Sequence, residues 1–275
     1  MLLGSASVPL RVGLWLDDLK LDLRAALKRA APWGLEAVGL DGFGAEVNPR
    51  TLTATGRRDL GHKLRGLGVK LDALKADVGG RRLGERGALD TTLACIREAF
   101  DLARDLGFAR IWIPLGFVPP ATDEKEASTR RALGEALAAL SAFAAQTGLR
   151  PVLPAGSESS ADLAAFLAEH DRSSLFEVDL QPGRLISRGE DPLNALQALS
   201  ARVTLAGVTD AFRGGGEAPF GQGDVSWGHV IVGLSTLSRG DGVALLAGTH
   251  RDTNRLEALQ ATVEKLKKLR VSPLG

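Results

Sequence analysis

Residues 93–115, LACIREAFDLARDLGFARIWIPL, hold the pattern that decides the fold. Leu93, Ile96, Phe100, Ala103 and Leu106 recur at steps of three and four, with Arg97, Glu98, Arg104 and Asp105 on the other side, which is the period of an amphipathic helix. Gly107 then stops it, since a helix end favours a residue that tolerates positive φ. Directly after comes Arg110–Leu115, short and apolar, which reads as a buried strand.

The same unit recurs in both directions. Strands are expected at Arg11–Leu16, Ala37–Leu40, Val69–Ala73, Pro151–Leu153, Phe176–Leu180, Val203–Val208 and Val243–Ala247. Between them the spacing predicts helices over Leu21–Ala31, from Pro49 to Gly66, around Leu133, Leu137 and Leu140, and over Ser160–His170, Pro192–Leu199 and Trp227–Leu237. A last helix carries Leu256, Leu259, Val263, Leu266 and Leu269 on one face and ends in the basic Lys267, Lys268 and Arg270. Eight strand–helix units of roughly 30 residues each predict an α/β fold, a single (β/α)8 barrel over residues 1–275 with 1–9 as a flexible lead. The alternative is a doubly wound open sheet, which wants a Gly-rich first turn where this chain has Asp17-Asp18-Leu19-Lys20.

Composition narrows the function. The 34 Lys and Arg balance 33 Asp and Glu, so the net charge of +1 gives no general attraction to nucleic acid or an anionic membrane. The single Cys95 excludes a disulfide framework and a zinc site built on cysteines, and reads as a small buried hydrophobe. No apolar run approaches the roughly 20 residues of a membrane helix, and the start lacks a basic segment before its short apolar stretch, so a cytoplasmic location without a secretory signal is expected.

In such a barrel the chemistry sits just after the strands. The polar residues there include Asp17, Asp18, Asp41, Lys75, Asp77, Gln181, Arg184, Thr209, Asp210, His250 and Arg251, while strands four and five end in nothing ionisable. The plainer reading is that many, such as Asp18, Asp22 and Asp90, are helix caps and first-turn acids. His250 differs from His62, His170 and His229 in following a buried strand closely, which puts it at the barrel mouth. Gly214–Gly216 suit a flexible loop better than a phosphate cradle, with no lysine and no helix directly behind them.

Six stretches stand out together: RVGLWLDDLKLDL, GLEAVGLDGFG, GVKLDALKADVGG, LISRGEDPLNAL, Thr209–Ala211 and APFGQGDVSW, the last similar to a PLGxGDxDW loop with Gly221, Gly223, Asp224 and Trp227 in place. With these marks the chain resembles the sugar phosphate isomerase/epimerase family, the xylose-isomerase-like TIM barrels. The resemblance implies a divalent Mn, Mg or Zn ion held by a Glu, an Asp, a His and a Glu on strands five to eight, and often a homodimer. This sequence departs at each ligand, with Pro154, Gln181, Gly207 and Ala247 at those positions. No metal and no other cofactor is therefore expected, unless a displaced site forms from Glu158, Asp179, Asp210 and His250; Asp179 shares the parity of Gln181 one layer lower.

The expected function is that of a degenerate family member which binds a carbohydrate-like or phosphorylated small molecule. Asp41, Gln181, Arg184 and Arg251 are the candidate ligand-binding residues. One alternative is metal-independent acid–base catalysis, as isomerase, epimerase or lyase, by Lys75, Asp210 and His250. Another is a non-catalytic partner subunit.

Overall fold

The computed structural model describes residues 9–66, 68–84, 87–238, 242–248 and 254–274. Residues 1–8 of the lead, and with them nearly all of that expected segment, lie outside the described residues, as do His250 and Arg251.

Eight parallel strands close into a barrel in which each pairs with the next in sequence and the last with the first. They are β1 (Leu10–Trp15), β2 (Ala37–Asp41), β3 (Lys70–Lys75), β4 (Arg110–Trp112), β5 (Arg150–Pro154), β6 (Glu177–Leu180), β7 (Val203–Val208) and β8 (Val243–Ala247). Outside them run α1 (Leu23–Ala30), α2 (Ala54–Arg65), α3 (Leu89–Leu106), α4 (Ala127–Thr147), α5 (Ser160–His170), α6 (Pro182–Ser187), α7 (Pro192–Leu199), α8 (Trp227–Leu237) and α9 (Arg255–Val271). This is the (β/α)8 barrel, and the open sheet is excluded by the closure between β1 and β8.

Local chemistry sets the ends. Gly107 and Gly148 close α3 and α4 at φ of +89° and +73°, where a side chain would be strained. Helix α2 starts later than Pro49, because residues 48–52 form a turn on the Asn48 carbonyl and the Thr53 hydroxyl then accepts from the Gly56 N–H. Helix α6 was not expected; Pro182 opens it right after β6, so Arg184 stands on a helix and not in an extended strand end. The larger apolar core lies between strands and helices, while Trp15, Ala37, Ala73, Trp112, Val152, Leu205, Ala244 and Leu246 fill the barrel interior.

The N-terminal floor of the barrel is charged. Pairing of β2 with β3 skips Asp72 and pairing of β6 with β7 skips Thr204, and both bulged residues join one network. Buried Arg110 donates to Asp72 Oδ1 at 3.0 Å and to Glu177 Oε2 at 2.5 Å, and the Thr204 hydroxyl donates to the same Glu177 oxygen at 2.7 Å. Arg11 and Arg150 close the network from the rim, on Asp72 and Glu177.

Candidate functional site at the barrel mouth

The C-terminal end of the barrel opens into a cavity of about 220 Å³ lined by Trp15, Lys75, Arg82, Trp112, Asp179 and Gln181, with Arg184, Gly207, Thr209 and Leu246 among its walls. Strand parity explains the set: Trp15 and Trp112 are interior positions, Lys75 and Gly207 stand two residues from interior Ala73 and Leu205, and Asp179 alternates with Val178 and Leu180, which pack under the helices. Trp15 lies flat on Gly39, where a Cβ would come within 2.3 Å of the indole, so only glycine admits the ring. The Lys75 ammonium sits 4.0 Å above the centre of that indole.

Asp179 is the buried carboxylate of the site. Its Oδ2 accepts from the Trp112 indole N–H at 2.8 Å and from the Gln181 carboxamide, while among the described residues buried Oδ1 has no hydrogen-bond partner. Burial pushes its pKa up to about 6, against the pull of those two donors and of Lys75 and Arg184. Asp17 and Asp41 are also raised by burial, and each is held back by a backbone N–H, that of Asp41 on Asp17 and that of Phe43 on Asp41, and by the charge of Lys75. Lys75 thus serves three carboxylates at once.

The other expected residues scatter. Asp41 is tied to the Phe43 N–H beside the cavity and does not line it. Asp210, expected as an acid–base group, is buried and spent on the loop that follows: its oxygens accept from the N–H groups of Ala211, Gly221 and Val225 and from the Trp227 indole. A Cβ at Gly223 would stand 2.3 Å from Asp210 Oδ1, and Asp224 Oδ2 accepts from the Arg213 N–H at 2.7 Å. The Gly221, Gly223, Asp224 and Trp227 pattern is therefore a self-closing loop wrapped on the Asp210 carboxylate, which faces that loop and does not line the cavity. Gly214–Gly216 form the end of the hairpin between Asp210–Ala211 and Glu217–Ala218, all three at positive φ.

Of the four substituted positions, Gly207 faces the cavity, and a Cβ there would meet the Gln181 carboxamide at 2.4 Å. Pro154 ends β5 in register with Asp179. Ala247 belongs to the core under the helices; its neighbours Leu246 and Gly248 face the mouth instead, a register correction of one residue. Glu158 is buried away from the cavity, with its pKa pushed to about 7 by burial and Oε2 3.4 Å from the Val118 N–H. Among the described residues no group of three or more His, Cys, Asp or Glu stands close enough to hold a metal ion. Trp15, Trp112 and Arg82 were not expected in the site; the two tryptophans carry a signal in their even spacing from interior positions, whereas Arg82 carries none.

The family model for the xylose isomerase-like TIM barrel matches residues 27–269. The chain belongs to that family. Solved structures similar to this barrel include a xylose isomerase domain protein from Planctomyces limnophilus, 21% identical over 97% of this chain and 98% of that one, with a TM-score of 0.78. A D-tagatose 3-epimerase-like protein is 14% identical, over 96% and 100%, at 0.75. The probable 3-DHS dehydratase AsbF of Bacillus anthracis, involved in petrobactin synthesis, is 15% identical, over 94% and 98%, at 0.73. At these identities the likeness is one of fold. No curated protein sequence matches the chain. Among the described residues no helix is long and apolar enough to cross a membrane.

Proposed function

We propose that this family member binds a small carbohydrate-like or phosphorylated molecule in its mouth through its own side chains, without the divalent ion of the family. The observation that carries the reading is the Gln181 carboxamide, folded over Gly207 and donating to Asp179. Two strand ends where the resemblance expects an aspartate and an imidazole hold a neutral amide and no side chain at all. A divalent ion needs charged oxygens or imidazole to offset its dehydration. Proline at 154 and leucine at 246 offer no donor atom, and Asp179 already gives one oxygen to two N–H groups. These residues do not fit the metal.

They do fit a hydroxylated ligand. The indoles of Trp15 and Trp112 give flat apolar walls, and Gln181, Thr209 and Lys75 offer acceptors and donors around them. Calorimetry with Mn²⁺ and fluorescence titration with a ketose phosphate test the reading. No stoichiometric Mn²⁺ binding is expected, with tryptophan quenching by the sugar phosphate unchanged in EDTA; a one-to-one Mn²⁺ complex, or quenching that needs Mn²⁺, would overturn it.

One observation favours a second reading, metal-independent proton transfer. Lys75 stands over Trp15 and lines the same cavity as Asp179, one oxygen of which has no partner among the described residues, and an ammonium and a carboxylate in one cavity can share the work of enolising a hydroxy-ketone. Ketose phosphate turnover in EDTA that disappears in Lys75→Ala supports it; turnover retained in that variant rejects it.

A further inference from the structure

Strands β4 and β5 bring no charged side chain to the mouth, yet each is followed by a glycine that seats an arginine from elsewhere. Gly116, beyond β4, has φ +93°, and a Cβ there would stand 3.0 Å from the Cβ of Arg82, in the segment between β3 and α3. Gly156, beyond β5, has φ +122°, and its Cβ would stand 2.9 Å from the Cβ of Arg184, in the first turn of α6. Positive φ and lack of room both select glycine, so the two stems pass where any side chain would press on them.

Both arginines line the 220 Å³ cavity. Among the described residues neither side chain makes a hydrogen bond or an ion pair, unlike the arginines of the barrel floor. Three acids share the lining. Asp77 turns its Oδ1 to the Gly80 N–H at 2.8 Å, Asp179 is bonded by Trp112 and Gln181, and Asp18 is half-buried after β1. Lys75 faces Asp17, Asp41 and Asp179, so its charge is answered there. Among the described residues Arg82 is bonded to no acid and Arg184 acts on Asp179 through its charge alone, so both guanidinium groups keep their N–H donors for a ligand. Arg184 also borders an open hollow of about 400 Å³ with Ser187 and Arg188, next to the cavity and sharing Gln181 and Thr209 with it.

We propose that Arg82 and Arg184 clamp an oxyanion, phosphoryl or carboxylate, at one end of the ligand, while its hydroxylated remainder lies against Trp15 and Trp112. Planar forks of N–H donors suit such oxygens in pairs. The proposal deepens the ligand-binding reading above and rests on it. A cavity below the usual small-ligand range of roughly 300–1,000 Å³ asks for a small molecule, with its charged end at the rim.

The test is tryptophan fluorescence in EDTA, titrated with inorganic phosphate, acetate and potassium chloride at one ionic strength. A saturable response to phosphate or acetate is expected, and which of the two responds tells a phosphoryl from a carboxylate site. Its midpoint should rise about tenfold or more in Arg82→Gln and in Arg184→Gln, and stay put in Arg172→Gln, an exposed arginine outside the cavity lining. Gly116→Ala and Gly156→Ala keep both arginines and should weaken the response in the same direction; the arginine variants keep the test independent of how those two fold. A chloride response equal to phosphate and acetate, or wild-type midpoints in both arginine variants, would overturn the clamp. Quenching by neutral xylose without any anion response would overturn the clamp and leave the ligand-binding reading in place. An anion response that needs Mn²⁺ but is still weakened by Arg82→Gln would do the reverse.

Discussion

The two ends of this barrel use the same residue types in opposite ways. On the floor, Arg110 is enclosed by Asp72 and Glu177, with Thr204 on the same carboxylate. At the mouth, Arg82 and Arg184 line a cavity without an ion pair among the described residues, and Asp179 keeps one buried oxygen unbonded. A buried charge pair is strongly destabilised by removal of one partner, which leaves the other charge uncompensated. A buried carboxylate oxygen without a donor is a standing cost, whereas the half-buried Arg82 and exposed Arg184 keep N–H donors that a ligand can take. Barrels of this fold in general divide in the same way, with stability at the N-terminal floor and active sites at the C-terminal mouth.

The largest expected effect breaks the floor. Arg110→Met takes the shared buried cation from Asp72 and Glu177 and leaves them the rim arginines Arg11 and Arg150, and urea unfolding should show a loss of about 3 kcal/mol. A loss below about 1 kcal/mol would mean the network is not the brace described here.

The mouth should behave in the opposite sense. Burial holds the Asp179 carboxyl near 6, above its ordinary 3.8. The folded protein then keeps that proton where the unfolded chain has released it, so the group's effect on stability worsens as pH rises through this window and its full cost is present above about pH 7. Asp179→Asn leaves an oxygen for Trp112 and Gln181 and removes the charge. It should be more stable than the wild type by about 2–3 kcal/mol near pH 8, with the gap closing toward pH 4, as read from urea midpoints. A gap independent of pH would count against a buried, titrating Asp179.

The smallest effect sharpens the contrast between arginines. Arg184 is exposed and among the described residues its side chain makes no hydrogen bond or ion pair, so Arg184→Gln should shift stability by no more than about 0.5 kcal/mol while weakening anion binding. A stability loss comparable to that of Arg110→Met would erase the distinction between the two ends.

Much of this was legible from the residues. Period and glycine stops placed all eight strands, and strand ends pointed to Lys75, Gln181 and Arg184, which do line the mouth. The misplacements have physical causes. Asp210 follows a strand just as a catalytic acid would, but whether a carboxylate faces a cavity or a returning loop depends on contacts eleven to seventeen residues away. Ala247 was placed one residue out of register, and with a period of two that turns a side chain from the mouth to the helices. Arg82 lies seven residues past β3 in a loop without periodicity, so nothing local marks it.

By itself, then, the sequence determined the barrel, because hydrophobic period and turn chemistry are local and each strand–helix unit states its own case. It also determined that Pro154, Gln181 and Gly207 bring no charged side chain to their strand ends, since side-chain chemistry needs no coordinates. Only the tertiary structure decided which charges are answered and which are not. Two bulges turn Asp72 and Thr204 into the floor, a loop closes on Asp210, and two left-handed glycines seat Arg82 and Arg184 over the mouth. Those are meetings between segments far apart in the chain, and their energies arise only once closure of the barrel has brought the segments together.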